Sequence, residues 1–171
     1  ITTTRVIDLR RDQADIAIRL GKGHWPGVDA RFLLEETAMP VCAPGYFEQL
    51  AGAATPGDNL PLQGARLIIN GSFPDEWEEW ARARGMPPPD LKGAITLDSL
   101  AQALQVAEGG HGVAMGRRPV VNDWLTRETL VAPFGKADPT GAGYYLCRAT
   151  GKTPTATVRR LERWLQSVAT A

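Results

Sequence analysis

The sequence predicts an α/β fold with largely parallel strands. Short β-branched or apolar runs alternate with segments of helical spacing, and brief loops rich in Gly and Pro join them. A length of 171 residues, 43% hydrophobic and 22% charged, fits one globular domain or two small lobes and excludes disorder or a fibre.

Taken in order, Ile1-Thr-Thr-Thr4 is β-branched and reads as a strand, and Leu9 to Ala14 as a turn or two of helix. Asp15-Ile-Ala-Ile-Arg-Leu20 alternates, with Ile16 and Ile18 on one face; Gly21 to Gly27 is a loop by its Gly and Pro content. Phe32-Leu-Leu34 opens a second strand region that resumes from Met39 to Ala43. Pro44 suits the first turn of a short helix reaching Leu50, and residues 51–64 form a loop. Leu67-Ile-Ile69 is a short buried strand ending at Asn70-Gly71. Pro74 and Asp75 start a helix to Arg84, with Trp77, Trp80 and Ala81 on one face and Gly85 as its stop. Glu76, Glu78 and Glu79 read as its solvated side.

Pro87-Pro-Pro89 forces an extended connector before the strand Ala94-Ile-Thr-Leu97. Ser99-x-x-Gln102 fits a capping box for a helix bearing Leu100, Leu104 and Ala107, ended by Gly109-Gly110. Gly112 to Met115 is a strand, and Pro119 opens a helix with Val121, Trp124 and Leu125 inward. Leu130 to Phe134 and Tyr144 to Arg148 read as strands. After Pro154, the last helix carries Val158, Leu161, Leu165 and Val168 as one apolar stripe, with Arg159, Arg160 and Arg163 around it as a solvated face.

The charge balance narrows the function. Lys+Arg and Asp+Glu are each 19, so no global positive field exists to hold nucleic acid or an anionic membrane. No apolar run approaches the roughly 20 residues of a membrane helix. A chain that opens on Ile1 is expected to be processed or cut from a longer protein. Cys42 and Cys147 are too few for a disulfide scaffold or a four-Cys zinc site, and are expected to be reduced packing residues.

Catalytic motifs fail one by one. The serines are Ser72, Ser99 and Ser167, none in a nucleophile elbow, and a triad would have to recruit His24 or His111 from Gly-rich loops. Neither histidine has a second His or Cys at ligand spacing. There is no P-loop; Gly21-x-Gly23 lacks a third glycine, and Gly109-Gly-His-Gly112 follows a helix instead of opening one. No enzyme, metal or cofactor is expected. Trp25, in a glycine-flanked loop, is a candidate ligand or lobe contact; Trp77, Trp80, Trp124 and Trp164 are expected to pack.

Asp15-Ile-Ala-Ile-Arg-Leu-Gly21 followed by His24-Trp-Pro-Gly27 resembles the C-terminal effector-binding domain of LysR-type transcriptional regulators. Met39-Pro-Val-Cys-Ala-Pro44, Leu97-Asp-Ser-Leu100, Val106-Ala-Glu-Gly-Gly-His-Gly-Val-Ala-Met115 with Arg117-Arg118-Pro119, and Gly143-Tyr-Tyr-Leu146 match in the family's order, over essentially the whole chain. The wording resembles the branch of the glycine-cleavage activator and the β-lactamase regulator. The resemblance implies a two-lobe fold like the type 2 periplasmic binding proteins, lacking the first strand and helix of lobe I, which would precede Ile1. Residues 1–42 and 148–171 would form lobe I and 43–147 lobe II, with crossing strands near Val41-Cys42 and Leu146-Cys147.

It further implies a small-molecule effector in a cleft between the lobes, and a cytoplasmic homodimer or higher oligomer reaching DNA only through an absent N-terminal domain. A free-standing solute-binding protein of the same fold is the alternative. Ligands of open parallel sheets sit beyond the carboxyl ends of strands, among loops and helix N-termini. That rule selects Thr3 and Thr4, Arg19 and Gly21, Asn70 and Ser72, Ser99, and Gly116 and Arg117 as effector-binding residues. Arg19 or Arg117 would pair with an effector carboxylate.

Overall fold

The computed structural model describes residues 7–11, 14–52, 62 and 64–169. The strand expected at Ile1–Thr4, and with it Thr3 and Thr4, lies outside the described residues. The chain divides into two compact units: unit 1 is Ile1–Glu36 with Pro139–Ala171, and unit 2 is Thr37–Asp138.

Unit 2 is built on a sheet in the order β2-β5-β3-β4, from β2 (Val28–Val41), β3 (Leu67–Asn70), β4 (Ile95–Leu97) and β5 (Val113–Arg118). β3 pairs in parallel with both β4 and β5, whereas β5 meets the end of β2 antiparallel, with Thr37 opposite Arg118 and Val41 opposite Ala114. That pairing is why Thr37 to Val41 group with unit 2 while the first part of the same strand belongs to unit 1.

Strand alternation sends successive side chains to opposite faces, and here both faces are covered. Ala38, Leu67, Val113 and Met115 pack with Trp77, Trp80 and Ala81 of α2 (Glu76–Ala83) and with Phe134. Their strand neighbours Met39, Val41, Ile68 and Ala114 pack on the other side with Ala103, Leu104 and Ala107 of α3 (Leu100–Glu108), and with Val121 and Leu130. The near-continuous apolar runs of these short strands follow from that double burial. α1 (Pro44–Gly52) adds Tyr46, Phe47 and Leu50 to the edge of the first core.

Several expected elements differ, and the described residues 9–11 form a turn and no helix. Leu130 to Phe134 is no strand; it contributes one bridge, Val131 to Cys42. Pro133 has no N–H to continue a ladder, and Glu128 already turns the chain at φ 58°. The helix placed at Pro119 begins later, as α4 (Asn122–Thr126).

Unit 1 contains β1 (Ala17–Gly21), the first part of β2, and β6 (Asp138–Ala149), in the order β1-β6-β2. β1 and β6 are antiparallel, with Ala17 opposite Cys147 and Gly21 opposite Gly143. The strands are therefore mixed in direction across the chain, not largely parallel. On one face Leu9, Cys147 and Ala149 gather Ala17, Trp25, Val28, Ala30 and Tyr145. α5 (Ala156–Ala169) is tied to β6 by Arg148 and Glu162 at 3.4 Å and buries Val158, but Leu161, Trp164 and Val168 stay exposed. The apolar stripe of this helix is thus only partly covered, and Trp164 is not the packing residue that the sequence suggests. Among the described residues no helix is long and apolar enough to cross a membrane.

Candidate functional site

In unit 2 the selected residues gather at the carboxyl ends of the parallel strands. Asn70 ends β3 and stands beside Leu97, the last residue of β4. The loop leaving β3 is shaped by its own polar groups: Gly71 N–H donates to the Leu97 carbonyl (2.7 Å), Ser72 N–H to Asn70 Oδ1 (3.1 Å) and Phe73 N–H to the Asn70 carbonyl (2.8 Å). Ser72 is exposed, and its hydroxyl lies 3.5 Å from the Asp98 carbonyl. Asn70 therefore acts as an Asx-type organiser of the turn, with its side chain buried.

Ser99 follows directly and is the N-cap of α3 in extended conformation. Its side chain makes no capping hydrogen bond, so the capping box expected with Gln102 does not form. The first turn of α3 holds no acidic residue, while that of α2 holds Glu76, Glu78 and Glu79. The first turns of the two helices beside this loop thus differ in charge; Asp98 stands immediately before the α3 N-cap, with its carboxylate beside Gly71.

Arg117 on β5 is 6% exposed and Glu76 is 5% exposed. Arg117 donates from Nε (3.2 Å) and Nη2 (3.0 Å) to Glu76 Oε2, and its guanidinium lies 3.8 Å from the centre of the Phe73 ring. Glu76 Oε1 accepts the Asn70 N–H at 3.3 Å. Glu76 is thus a buried partner of the site and not part of a solvated helix side; Glu78 and Glu79 are exposed as expected. The sequence signal for Glu76 was weak. It stands immediately before Trp77, which is fully buried and donates its indole N–H to the Ile68 carbonyl at 3.0 Å. Gly116 answers a packing need: a Cβ there would lie 2.9 Å from Val121 Cγ2 and 3.0 Å from Val41 Cγ1.

In unit 1 Arg19 and Gly21 stand on β1. Arg19 Nη2 donates to the Ile7 carbonyl at 2.7 Å, and its guanidinium lies 5.6 Å from the Trp25 ring centre. A Cβ on Gly21 would come within 2.9 Å of the Trp25 indole, and one on Gly23 within 2.7 Å of the Tyr145 ring. Gly21 and Gly23 are thus seats for aromatic rings, whereas Gly27 faces the Arg10 guanidinium. Tyr145 meets Trp25 and Phe32 edge to face, with centroids 5.7 and 5.5 Å apart. A cavity of about 470 Å³ is lined by Arg10, Arg19, Trp25, Pro26 and Val28 among others. Cys42 and Cys147 are buried free thiols, one in each unit. Burial pushes Cys42 up to about 11 and raises Cys147 as well, the Arg19 charge opposing the latter. Among the described residues no group of His, Cys, Asp and Glu could hold a metal ion.

Residues 1–170 match the family described as the LysR substrate binding domain. The chain is 31% identical over 164 residues to the HTH-type transcriptional activator AmpR of Rhodobacter capsulatus, covering 96% of this chain and 54% of that protein. It is 26% identical to the glycine cleavage system transcriptional activator of Escherichia coli K12, covering 96% and 52%. The chain spans about half the length of the curated relatives it matches. The solved effector domain of Pseudomonas aeruginosa AmpR is similar with a TM-score of 0.76 and 29% identity, over 96% of this chain and 76% of that one.

Proposed function

The chain belongs to the LysR substrate-binding domain family, and from that premise we propose how this effector-binding domain works. It senses a small molecule and passes the signal to a DNA-binding domain elsewhere in the same protein, as part of a cytoplasmic homodimer or higher oligomer that regulates transcription without catalysis. The observation that carries the reading is the convergence of Asn70, Ser72 and Ser99 at the carboxyl ends of β3 and β4. Strand ends of a parallel sheet leave loops and helix N-termini to meet a ligand.

The effector carries a carboxylate. In unit 2 its anionic end goes to the α3 N-terminus at Ser99, since the α2 N-terminus is ringed by Glu76, Glu78 and Glu79. In unit 1, taken by itself, Arg19 beside Gly21 and Trp25 is the cation that suits a carboxylate. Thr3 and Thr4 belong to the same set by sequence. Arg117 and Gly116 underlie the unit 2 residues, Arg117 through its ion pair and Gly116 through the close approach of Val41 and Val121.

A thermal-shift panel of amino acids, cell-wall peptides and aromatic acids on the purified chain tests this. At least one carboxylate is expected to raise the Tm, and Ser99→Ala and Arg19→Met to reduce that rise. A panel with no hit, or a hit indifferent to both substitutions, would sink the site. The chain alone is expected to give no sequence-specific DNA shift in a gel assay, because it is neutral overall.

A further inference from the structure

We propose that Glu76 is the positioning residue of the unit 2 site: it sets the shape of the Asn70–Phe73 loop without meeting the effector. Two chain positions far apart in role meet on this one carboxylate, and a third is reached through one of them. Oε1 takes the N–H of Asn70, where β3 ends and the loop begins. Oε2 takes Nε and Nη2 of Arg117 on β5. The Arg117 guanidinium in turn covers the Phe73 ring, at the far end of the loop. Both ends of the loop are therefore held by one ion pair, with side chains 7% and 3% exposed.

The consequence reaches the two residues read as effector contacts, and the proposal rests on that reading. Asn70 can hold Ser72 N–H on its Oδ1 and Phe73 N–H on its carbonyl only in one loop geometry. Glu76 fixes the backbone of Asn70 at the start of that geometry, and Arg117 fixes Phe73 at its end. A buried charge pair with matched donors holds position more firmly than neutral hydrogen bonds, because neither partner has water to turn to. Arg117 thus acts on the site through Glu76 and Phe73.

Amide hydrogen exchange of the full chain, read residue by residue by NMR with no small molecule present, tests this. In Glu76→Gln the side chain keeps one acceptor oxygen and offers Arg117 a donor, so it satisfies Asn70 or Arg117 but not both. Exchange at Asn70, Ser72 and Phe73 is expected to rise about tenfold more than at Ile68 and Ala114 in the core. Arg117→Met approaches from the other partner and is expected to raise the same three amides beyond the common rise that its lower global stability gives Ile68 and Ala114. In the unmodified chain the Arg117 Nε–H is expected to exchange slowly and give a resolved signal, which Glu76→Gln displaces. An equal rise at loop and core amides would make Glu76 a general stabiliser and overturn the proposal. Unchanged loop exchange in either variant would do the same. Should both variants fail to fold, a rapidly exchanging Arg117 Nε–H in the unmodified chain overturns it and a slow one supports it. Since no ligand enters the assay, a compound panel without a hit counts against the sensor reading alone.

Discussion

Unit 2 and unit 1 bury their apolar residues in different ways. Unit 2 is one continuous stretch of chain whose short sheet is covered on both faces, and it holds Trp77, Leu67, Ile68, Leu104, Val113 and Phe134 almost without exposure. Unit 1 is assembled from two separate stretches, whose described residues gather around one buried cluster. Among its described residues Ile18, Phe32, Trp164 and Val168 are each more than half exposed. Apolar burial scales the driving force of folding, so stability is concentrated in unit 2 and unit 1 is its more easily opened neighbour.

Tryptophan truncation tests that contrast most sharply. Trp77→Ala removes a fully buried ring together with its hydrogen bond to Ile68, and is expected to cost about 3–5 kcal/mol in urea denaturation. Trp164→Ala, at a position 58% exposed, is expected to cost less than about 1 kcal/mol. Equal losses would break the comparison.

Charge removal sharpens it next. Arg117→Met removes the guanidinium paired with the buried Glu76 carboxylate and is expected to destabilise by about 3–5 kcal/mol. The double variant Glu76→Leu/Arg117→Met is expected to lose much less than the sum of the two single changes, because no lone charge remains buried. Arg19→Met, which removes a part-buried hydrogen bond to the Ile7 carbonyl, is expected to cost about 1 kcal/mol.

The thiols provide a pH test. The Cys42 thiol ionises in the unfolded chain near its ordinary 9.0, but only near 11 in the fold. The unfolded chain alone gives up this proton between those values, so stability present below pH 9 is lost as pH rises toward 11. The loss is on the order of 2–3 kcal/mol. Cys42→Ala is expected to flatten that decline in denaturation midpoints taken from pH 8 to 11. Two free thiols are expected on denaturation without reductant.

The smallest effect falls on Ser99. Its hydroxyl makes no capping bond, so Ser99→Ala is expected to cost only a few tenths of a kcal/mol, below the roughly 1 kcal/mol of a working cap. A loss of binding without a loss of stability in that variant would tie the residue to the effector.

Most of unit 2 is legible in local sequence patterns. The runs at Leu67, Ala94 and Gly112, each followed or preceded by a helix with Gly, Pro or Ser at its end, are local patterns, and local patterns fix elements through backbone propensity and periodicity. The same order of motifs carries the family, and the ends of β3 and β4 are where Asn70, Ser72 and Ser99 lie. Tertiary structure decided what no local pattern carries. Pro133 and the turn at Glu128 left Leu130–Phe134 a single bridge, although its composition suits a strand. The direction of β1 against β6 depends on a partner more than 120 positions away. Glu76 was indistinguishable in sequence from Glu78 and Glu79; helical rotation turned one of the three inward, and Arg117, 41 residues on, supplied the charge that makes its burial tolerable. Pairing between distant residues follows from packing of the whole chain, and a carboxylate's role follows from whichever cation that packing brings to it.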